Sequence, residues 1–309
     1  MKNVIKSVVF VALLLIMVEI LNFVFVPGSN IFTYGAVKVS NYDILTEEPD
    51  TIDIIGLGDS LVYSSFSPME LWHDYGYTAY DCAQPAQTIK ATYEYLEAAL
   101  EVQNPKLVLM ESSVLYRNPK NENWKNKIST ELKKYAPIAK YHDNWKKYLS
   151  YGSKDNWVDA YKGYKYITKV EGIKNKSNYM KYTEKKKVTP DYNLEYFDKI
   201  VKLCEEKNTK LVMVSFPSIK SWNYARHNTV SELFEKYNLE FIDLNLFDLQ
   251  IDWKVDTKDE GNHLNYKGAK KVTDYLGNYL KETKLLEDHR EDKDYKSWDK
   301  AYDIYIKSF

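Results

Sequence analysis

Apolar and polar positions along this chain follow two rhythms. Five short runs are almost continuously apolar, β-branched or aromatic, and most are bounded by polar residues, Pro or Gly: TIDIIGLG (51–58), YTAYDC (77–82), KLVLMES (centred on 107–112), KLVMVSF (210–216) and LEFIDL (239–244). Runs of this kind predict strands of a parallel sheet covered on both faces. Between and after them lie segments with helical spacing: 86–102, 191–208, 228–238 and 266–282. In the second of these, Leu194, Phe197, Ile200, Val201 and Cys204 recur every three or four residues, which places them on one face of a helix. Strand and helix alternate, so the pattern predicts an α/β protein built in three layers.

The N-terminus has a different pattern. After MKNVIKS, the stretch VVFVALLLIMVEILNFVFV (8–26) is 19 residues long, close to what a helix needs to cross a bilayer. Lys2 and Lys6 precede it, which predicts a cytoplasmic N-terminus and an extracytoplasmic remainder. No A-x-A cleavage spacing follows, and the run exceeds a signal-peptide core, so residues 1–27 read as an uncleaved membrane anchor and 28–309 as a domain outside the membrane. Glu19 and Asn22 interrupt the span on nearby helix faces. Two readings of Glu19 stand: a side chain reaching interfacial water, or a contact with another membrane protein.

Composition changes this picture little at the scale of the whole chain and greatly at the scale of one segment. At 309 residues, 44% hydrophobic and 28% charged, the chain is ordinary for a globular protein with one sizeable core. Its two cysteines, Cys82 and Cys204, make no disulfide framework and have no metal-ligand spacing. The net charge of −1, however, hides an imbalance: residues 117–187 carry 19 Lys/Arg against 7 Asp/Glu, with nine Tyr and three Trp. This basic, aromatic-rich insertion breaks the strand–helix alternation. It suits a polyanion, an anionic lipid surface or a sugar polymer, or else an ordinary cap with solvated lysines. Nucleic acid is a poor partner for a segment outside the membrane. The tail, from 287 on, reads as a peripheral helix packing Trp298, Tyr302 and Tyr305 onto the body.

The first strand runs into GLGDSL, so Ser60 falls at the carboxyl end of a parallel strand, where ligands bind in such sheets. A serine starting the next turn exposes its hydroxyl, and its own N–H becomes an oxyanion donor. A dinucleotide loop is the rival reading of Gly56 and Gly58, but position 61 is Leu where a third glycine belongs. A serine nucleophile needs a base, and the base an orienting acid. Of five histidines, His263 stands apart in DTKDEGNHLNYKGA, with Asp256, Asp259 and Glu260 just ahead of it and a helix just after.

Gly58-Asp59-Ser60-Leu61 near the start of the soluble part, with an acid, His263, Leu264 and Asn265 near its end, resembles the SGNH/GDSL hydrolase superfamily. The resemblance covers about residues 51–116 and 190–282. It implies a flavodoxin-like α/β/α sandwich around a five-stranded parallel sheet, a Ser-His-Asp triad, and neither metal nor cofactor. The anchor, the insertion and HLNYKGA resemble in particular a membrane-anchored group that includes the teichoic acid D-alanyl transfer protein DltD and the alginate and peptidoglycan O-acetylation proteins. That implies a polytopic membrane-bound O-acyltransferase as partner and a cell-envelope polymer as substrate.

The family acid usually lies three residues before the histidine, the place of Glu260. Asp259 is taken as the acid and Glu260 as its alternate, the extra residue in DEGNH being read as a loop insertion. The glycine and asparagine that supply further oxyanion donors in the superfamily have no counterpart in DCAQPAQT or ESSVLYRN. Ala83 and Gln84 stand as candidates beside the Ser60 N–H. The expected function is an anchored serine esterase or acyltransferase working through acyl-Ser60. A non-catalytic scaffold that binds the envelope polymer is the alternative.

Overall fold

The computed structural model describes residues 2–25, 43–117, 159–175 and 177–307. The insertion expected at 117–187 therefore lies partly outside the described residues, from 118 to 158 and at 176. Two compact units divide the described chain: helix α1 (Lys2–Phe25) belongs to one, and everything from residue 43 on to the other.

Helix α1 exposes Val4, Phe10, Leu13, Ile16 and Ile20 around its whole circumference, so it has no single apolar face to lay against a soluble body. Its Val4–Leu21 stretch is long and apolar enough to cross a membrane, a property shared by anchors and signal sequences. Glu19 is exposed on it, and the Asn22 side chain lies outside the described residues.

In the second unit, β1 (Ile54–Gly58), β2 (Ala79–Ala83), β3 (Leu107–Glu111), β4 (Lys210–Ser215) and β5 (Glu240–Asp243) form one sheet in the order β2-β1-β3-β4-β5, with every pairing parallel. This is the flavodoxin-like order, and its switch point lies between β1 and β3. Strands β1, β2 and β3 are buried at every position, as a sheet covered on both faces requires. One face carries α4 (Ile89–Ala99), α5 (Asp191–Glu206) and α6 (Tyr224–Lys236), with α4 against α5 and Phe197 of α5 packed on Phe234 of α6. The other carries α2 (Ser60–Ser65), α3 (Pro68–Tyr75), α7 (Tyr266–Thr283) and α8 (Lys296–Ile306). The expected α/β/α sandwich is therefore the fold. Cys82 and Cys204 are buried free thiols within it.

The strands are shorter than the apolar runs because flanking residues continue into turns. Helices α2 and α3 were not expected, and the reason is physical. All six residues of α2 are buried, so it shows no polar stripe. Helix α3 starts at Pro68 and stops at Gly76 in the left-handed conformation, leaving only eight residues of pattern.

The tail does form the expected peripheral helix. In α8, Trp298 and Tyr305 are buried, with the Trp298 ring 5.6 Å from that of Trp72, and Tyr302 stacks on His73 at 4.6 Å. Ahead of it, His289 Nε2 lies 2.7 Å from Asp53 Oδ2, pinning the segment at the opposite end of β1 from Ser60.

Candidate functional site

Asp59 is the N-cap of α2, its Oδ1 accepting from the Leu61 N–H at 2.9 Å, so Ser60 is the first helical residue. Its own N–H therefore lies outside the intrahelical ladder. The turn is tight. A Cβ on Gly58 would stand 2.6 Å from Glu111 Cβ and 2.8 Å from Val62 Cγ2, so only glycine fits where β1 meets α2.

His263 arrives from the loop between β5 and α7. That loop is closed by a bridge between Thr257 and Leu264 and by the Lys258 N–H donating to the His263 carbonyl at 3.2 Å. Its turn passes through Glu260 and Gly261 at φ 58° and 86°, the left-handed region that glycine enters without strain. Leu264 is fully buried in the core, a contact worth about 2 kcal/mol. Asn265 caps α7, accepting from the Lys267 and Gly268 N–H groups. The three residues His263-Leu264-Asn265 thus face the site, anchor the loop and start a helix.

The geometry that results is direct. His263 Nε2 lies 2.7 Å from Ser60 Oγ, and His263 Nδ1 lies 2.6 Å from Asp259 Oδ2. Asp259 Oδ1 also accepts from the His263 main-chain N–H at 2.7 Å. Burial works to raise the Asp259 carboxyl, but the hydrogen bonds from His263 outweigh it and hold it below the usual carboxylate range. Burial also holds His263 below its ordinary value, in spite of Asp259. The ring is therefore neutral at pH 7, as a proton acceptor must be.

Glu260, the alternate acid, points elsewhere: it pairs with Lys174 at 3.2 Å and Lys220 at 3.3 Å. Its left-handed backbone turns its side chain from the histidine, and Asp259 reaches the ring from one residue further back. Of the two oxyanion candidates on β2, Ala83 pairs in register with Gly58, which sets the end of β2 beside the Ser60 turn. Gln84 opens the next turn, its carbonyl accepting from the Gln87 N–H at 3.3 Å.

Several neighbours of Ser60 escaped the sequence reading. Tyr63, one turn along α2, sets its hydroxyl at Ser60, and burial raises that phenol above its ordinary value. Arg117, after β3, donates from Nε to Asp59 Oδ2 at 2.8 Å and from Nη2 to the same oxygen. Beneath them, Glu111 is buried between the N–H groups of Ser113 (2.8 Å) and Phe216 (2.9 Å), and burial, reinforced by Asp59, pushes its carboxyl up to about 8. Arg117 follows β3 only after the 3-10 turn Ser112–Tyr116, so no local signal in the sequence marked it.

The described end of the insertion straps this site. The Glu171 N–H donates to the Thr257 carbonyl and the Glu260 N–H to the Glu171 carbonyl, both at 2.8 Å, and the Ile173 N–H donates to the Trp253 carbonyl at 3.0 Å. Residues 167–173 thus hold the loop that presents Asp259 and His263.

No protein-family model and no curated protein sequence matches this chain. Among solved structures, it is similar to an acetyl xylan esterase at 15% identity, over 74% of this chain and 100% of that one, with a TM-score of 0.40. It is also similar to a putative acylhydrolase from Bacteroides fragilis (12%; 78% and 93%; 0.39) and to a family 3 carbohydrate esterase from Clostridium thermocellum (15%; 76% and 97%; 0.38). These likenesses are distant. What the site can do follows from its own residues.

Proposed function

We propose that this protein is a membrane-anchored, extracytoplasmic serine esterase or acyltransferase that acts on an O-acyl group of a cell-envelope polymer through an acyl-Ser60 intermediate. The observation that carries the reading is the continuous chain from Ser60 Oγ through the His263 ring to the Asp259 carboxylate, at 2.7 and 2.6 Å.

Ser60 Oγ attacks the acyl carbonyl carbon and its proton passes to His263 Nε2. The resulting oxyanion sits at the Ser60 N–H, with the end of β2, at Ala83 and Gln84, as the further source of donors. Each well-placed donor contributes about 3 kcal/mol. Asp259 keeps the His263 proton on Nδ1 and stabilises the imidazolium. When the tetrahedral carbon collapses, the bond to the leaving oxygen breaks and that oxygen takes the proton from Nε2. A polymer hydroxyl or water then gives its proton to His263 and attacks acyl-Ser60, and Ser60 Oγ recovers its proton as the acyl group leaves. The outcome is transfer or hydrolysis according to which acceptor arrives.

Helix α1 supports the anchored location: Lys2 precedes the Val4–Leu21 span and Lys6 lies in its first turn, and a positive flank stays cytoplasmic. Glu19, exposed within that span, supports a polytopic O-acyltransferase as partner, since a carboxyl there gains by facing a polar helix. The test is hydrolysis of a chromogenic acetyl ester together with labelling by a serine-reactive probe. The full-length protein should turn over the ester and carry the label on Ser60. Undiminished turnover by Ser60→Ala would sink the reading.

A further inference from the structure

The carboxylate nearest the nucleophile in sequence is not the one that orients His263. Asp59 is fully buried, its Oδ1 caps α2 through the Leu61 N–H at 2.9 Å, and Ser60 is the next residue. An unpaired carboxylate in that place is costly to bury. Its charge also opposes the negative charge that builds on an acyl oxygen at the Ser60 N–H. Burial keeps the His263 ring neutral, and the Asp59 charge works against it by favouring the imidazolium, which accepts no proton from serine.

Arg117 meets that charge. It donates to Asp59 Oδ2 from Nε, at 2.8 Å, and from Nη2. Its backbone is fixed at both ends: the N–H donates to the Val114 carbonyl at 3.1 Å, and the carbonyl accepts from Asn193 Nδ2 at 2.9 Å. Asn193, on α5, is fully buried, and its Nδ2 also donates to the Leu115 carbonyl at 2.8 Å. The other groups around the turn leave Asp59 to Arg117. Glu111, beneath it, is mostly protonated at pH 7, and the Tyr63 phenol, raised by burial, is uncharged. Arg226 of α6 lies over the Tyr116 ring, 4.8 Å from its centroid, and donates from Nη1 to the Ser221 carbonyl. Lys165 lies over the Tyr63 ring at 5.9 Å, half-buried Lys258 follows Thr257 in the catalytic loop, and Asp259 is engaged by His263.

We infer that Arg117 is a positioning residue for the reaction at Ser60: acting through Asp59, it fixes the turn that carries the nucleophile and cancels the carboxylate charge beside the oxyanion. This rests on Ser60 being the reacting residue. Arg117 itself makes no bond to the reacting atoms; its effect passes through Asp59.

The test pairs steady-state kinetics on a chromogenic acetyl ester with an NMR titration of the histidine rings. Both use full-length protein in detergent with isotope-labelled histidine, and His263→Ala assigns the signal. Arg117→Gln should lower kcat about tenfold with KM little changed. It should also raise the His263 midpoint, and with it the acid limb of the pH–rate profile, by about half a pH unit. Arg117→Lys keeps the charge without the fork, so the midpoint should stay near the parent's while kcat recovers in part. The double variant Asp59→Asn/Arg117→Gln removes the charge pair and keeps the cap, since Asn caps a helix as well as Asp. Its His263 midpoint should return to the parent's, and its kcat should exceed that of Arg117→Gln alone. A His263 midpoint unmoved in Arg117→Gln, or a double variant no faster than the single one, would make the pair merely structural and overturn the inference. Failure of the functional reading shows differently: Ser60→Ala would then turn over the ester as the parent does, whatever the ring titration gives.

Discussion

The protein contains two histidine–aspartate pairs that look alike until their surroundings are compared. His263 Nδ1 lies 2.6 Å from Asp259, and His227 Nδ1 lies 2.7 Å from Asp243. Both rings are similarly covered, with side chains 14% and 19% exposed. Each has a serine on its far side: Ser60 at 2.7 Å for His263, Ser231 at 3.4 Å for His227. Access does not separate them, since Ser231 lines a surface groove of about 520 Å³ with Phe234 and Phe241.

What separates them is where the serine comes from and what else the carboxylate serves. Ser231 is four residues after His227 on the same helix, α6, so its hydroxyl is a neighbour by helical spacing. Ser60 is 203 residues from His263, at the carboxyl end of a central strand and the start of a helix. Asp243 is buried and also accepts from Trp222 Nε1 at 3.0 Å, the Asn245 N–H at 3.0 Å and Asn245 Nδ2 at 2.9 Å. Asp259 serves the histidine alone, through both oxygens. One carboxylate is a hub that holds elements together; the other orients a ring.

The comparison breaks first on kinetics. Ser60→Ala and His263→Ala should each lower ester turnover by on the order of 10³-fold or more, and Asp259→Asn comparably, while His227→Ala and Ser231→Ala change it less than about twofold. Steady-state rates on the folded variants decide this, and a deficit in His227→Ala equal to that of His263→Ala would erase the distinction. Stability should show the reverse. Asp243→Ala should cost about 3 kcal/mol in denaturant unfolding, since it strands several donors, and Asp259→Ala about 1 kcal/mol or less.

pH sharpens the picture beneath Ser60. Because the folded-state pKa of Glu111 is raised to about 8 from 4.5, the folded protein holds a proton there that the unfolded chain has lost. That contribution is fully present below pH 4.5 and falls away as pH rises to about 8, at no more than about 1.4 kcal/mol per pH unit. Chemical unfolding across that range should show the decline, and Glu111→Gln should flatten it. His263 has the opposite sign. Its folded value is lowered, so the turnover that needs the neutral ring should persist below pH 6.5 and fall only under more acid conditions, as a pH–rate profile would show. The smallest effect belongs to Glu260→Gln. A partly exposed carboxylate paired with two lysines should leave turnover within about twofold and stability little changed, so a triad-sized loss there would reassign the acid.

Much of this arrangement was legible without coordinates. A strand run ending in Gly-Asp-Ser, and a His-Leu-Asn ahead of a helical pattern, are local signals. Period decides strand or helix, and turn residues mark where each stops. Helices α2 and α3 were missed because a fully buried helix and an eight-residue one carry no amphipathic stripe. Arg117 and Arg226 were missed because each is an ordinary basic residue until β3 and α6 bring them together.

The sequence by itself determined the class of fold, the position of Ser60 at a strand end and the candidacy of His263, since these follow from periodicity and short motifs. Only the tertiary structure decided that Asp259 rather than Glu260 meets the ring, that His227 and Asp243 form a second pair, and that Glu111 lies beneath Asp59. Those outcomes depend on backbone handedness at Glu260 and on contacts between residues up to 203 positions apart. Spacing along a chain constrains neighbours within a turn or two. Which distant side chains share a hydrogen bond is decided when the sheet closes and the loops at its edge are packed into place.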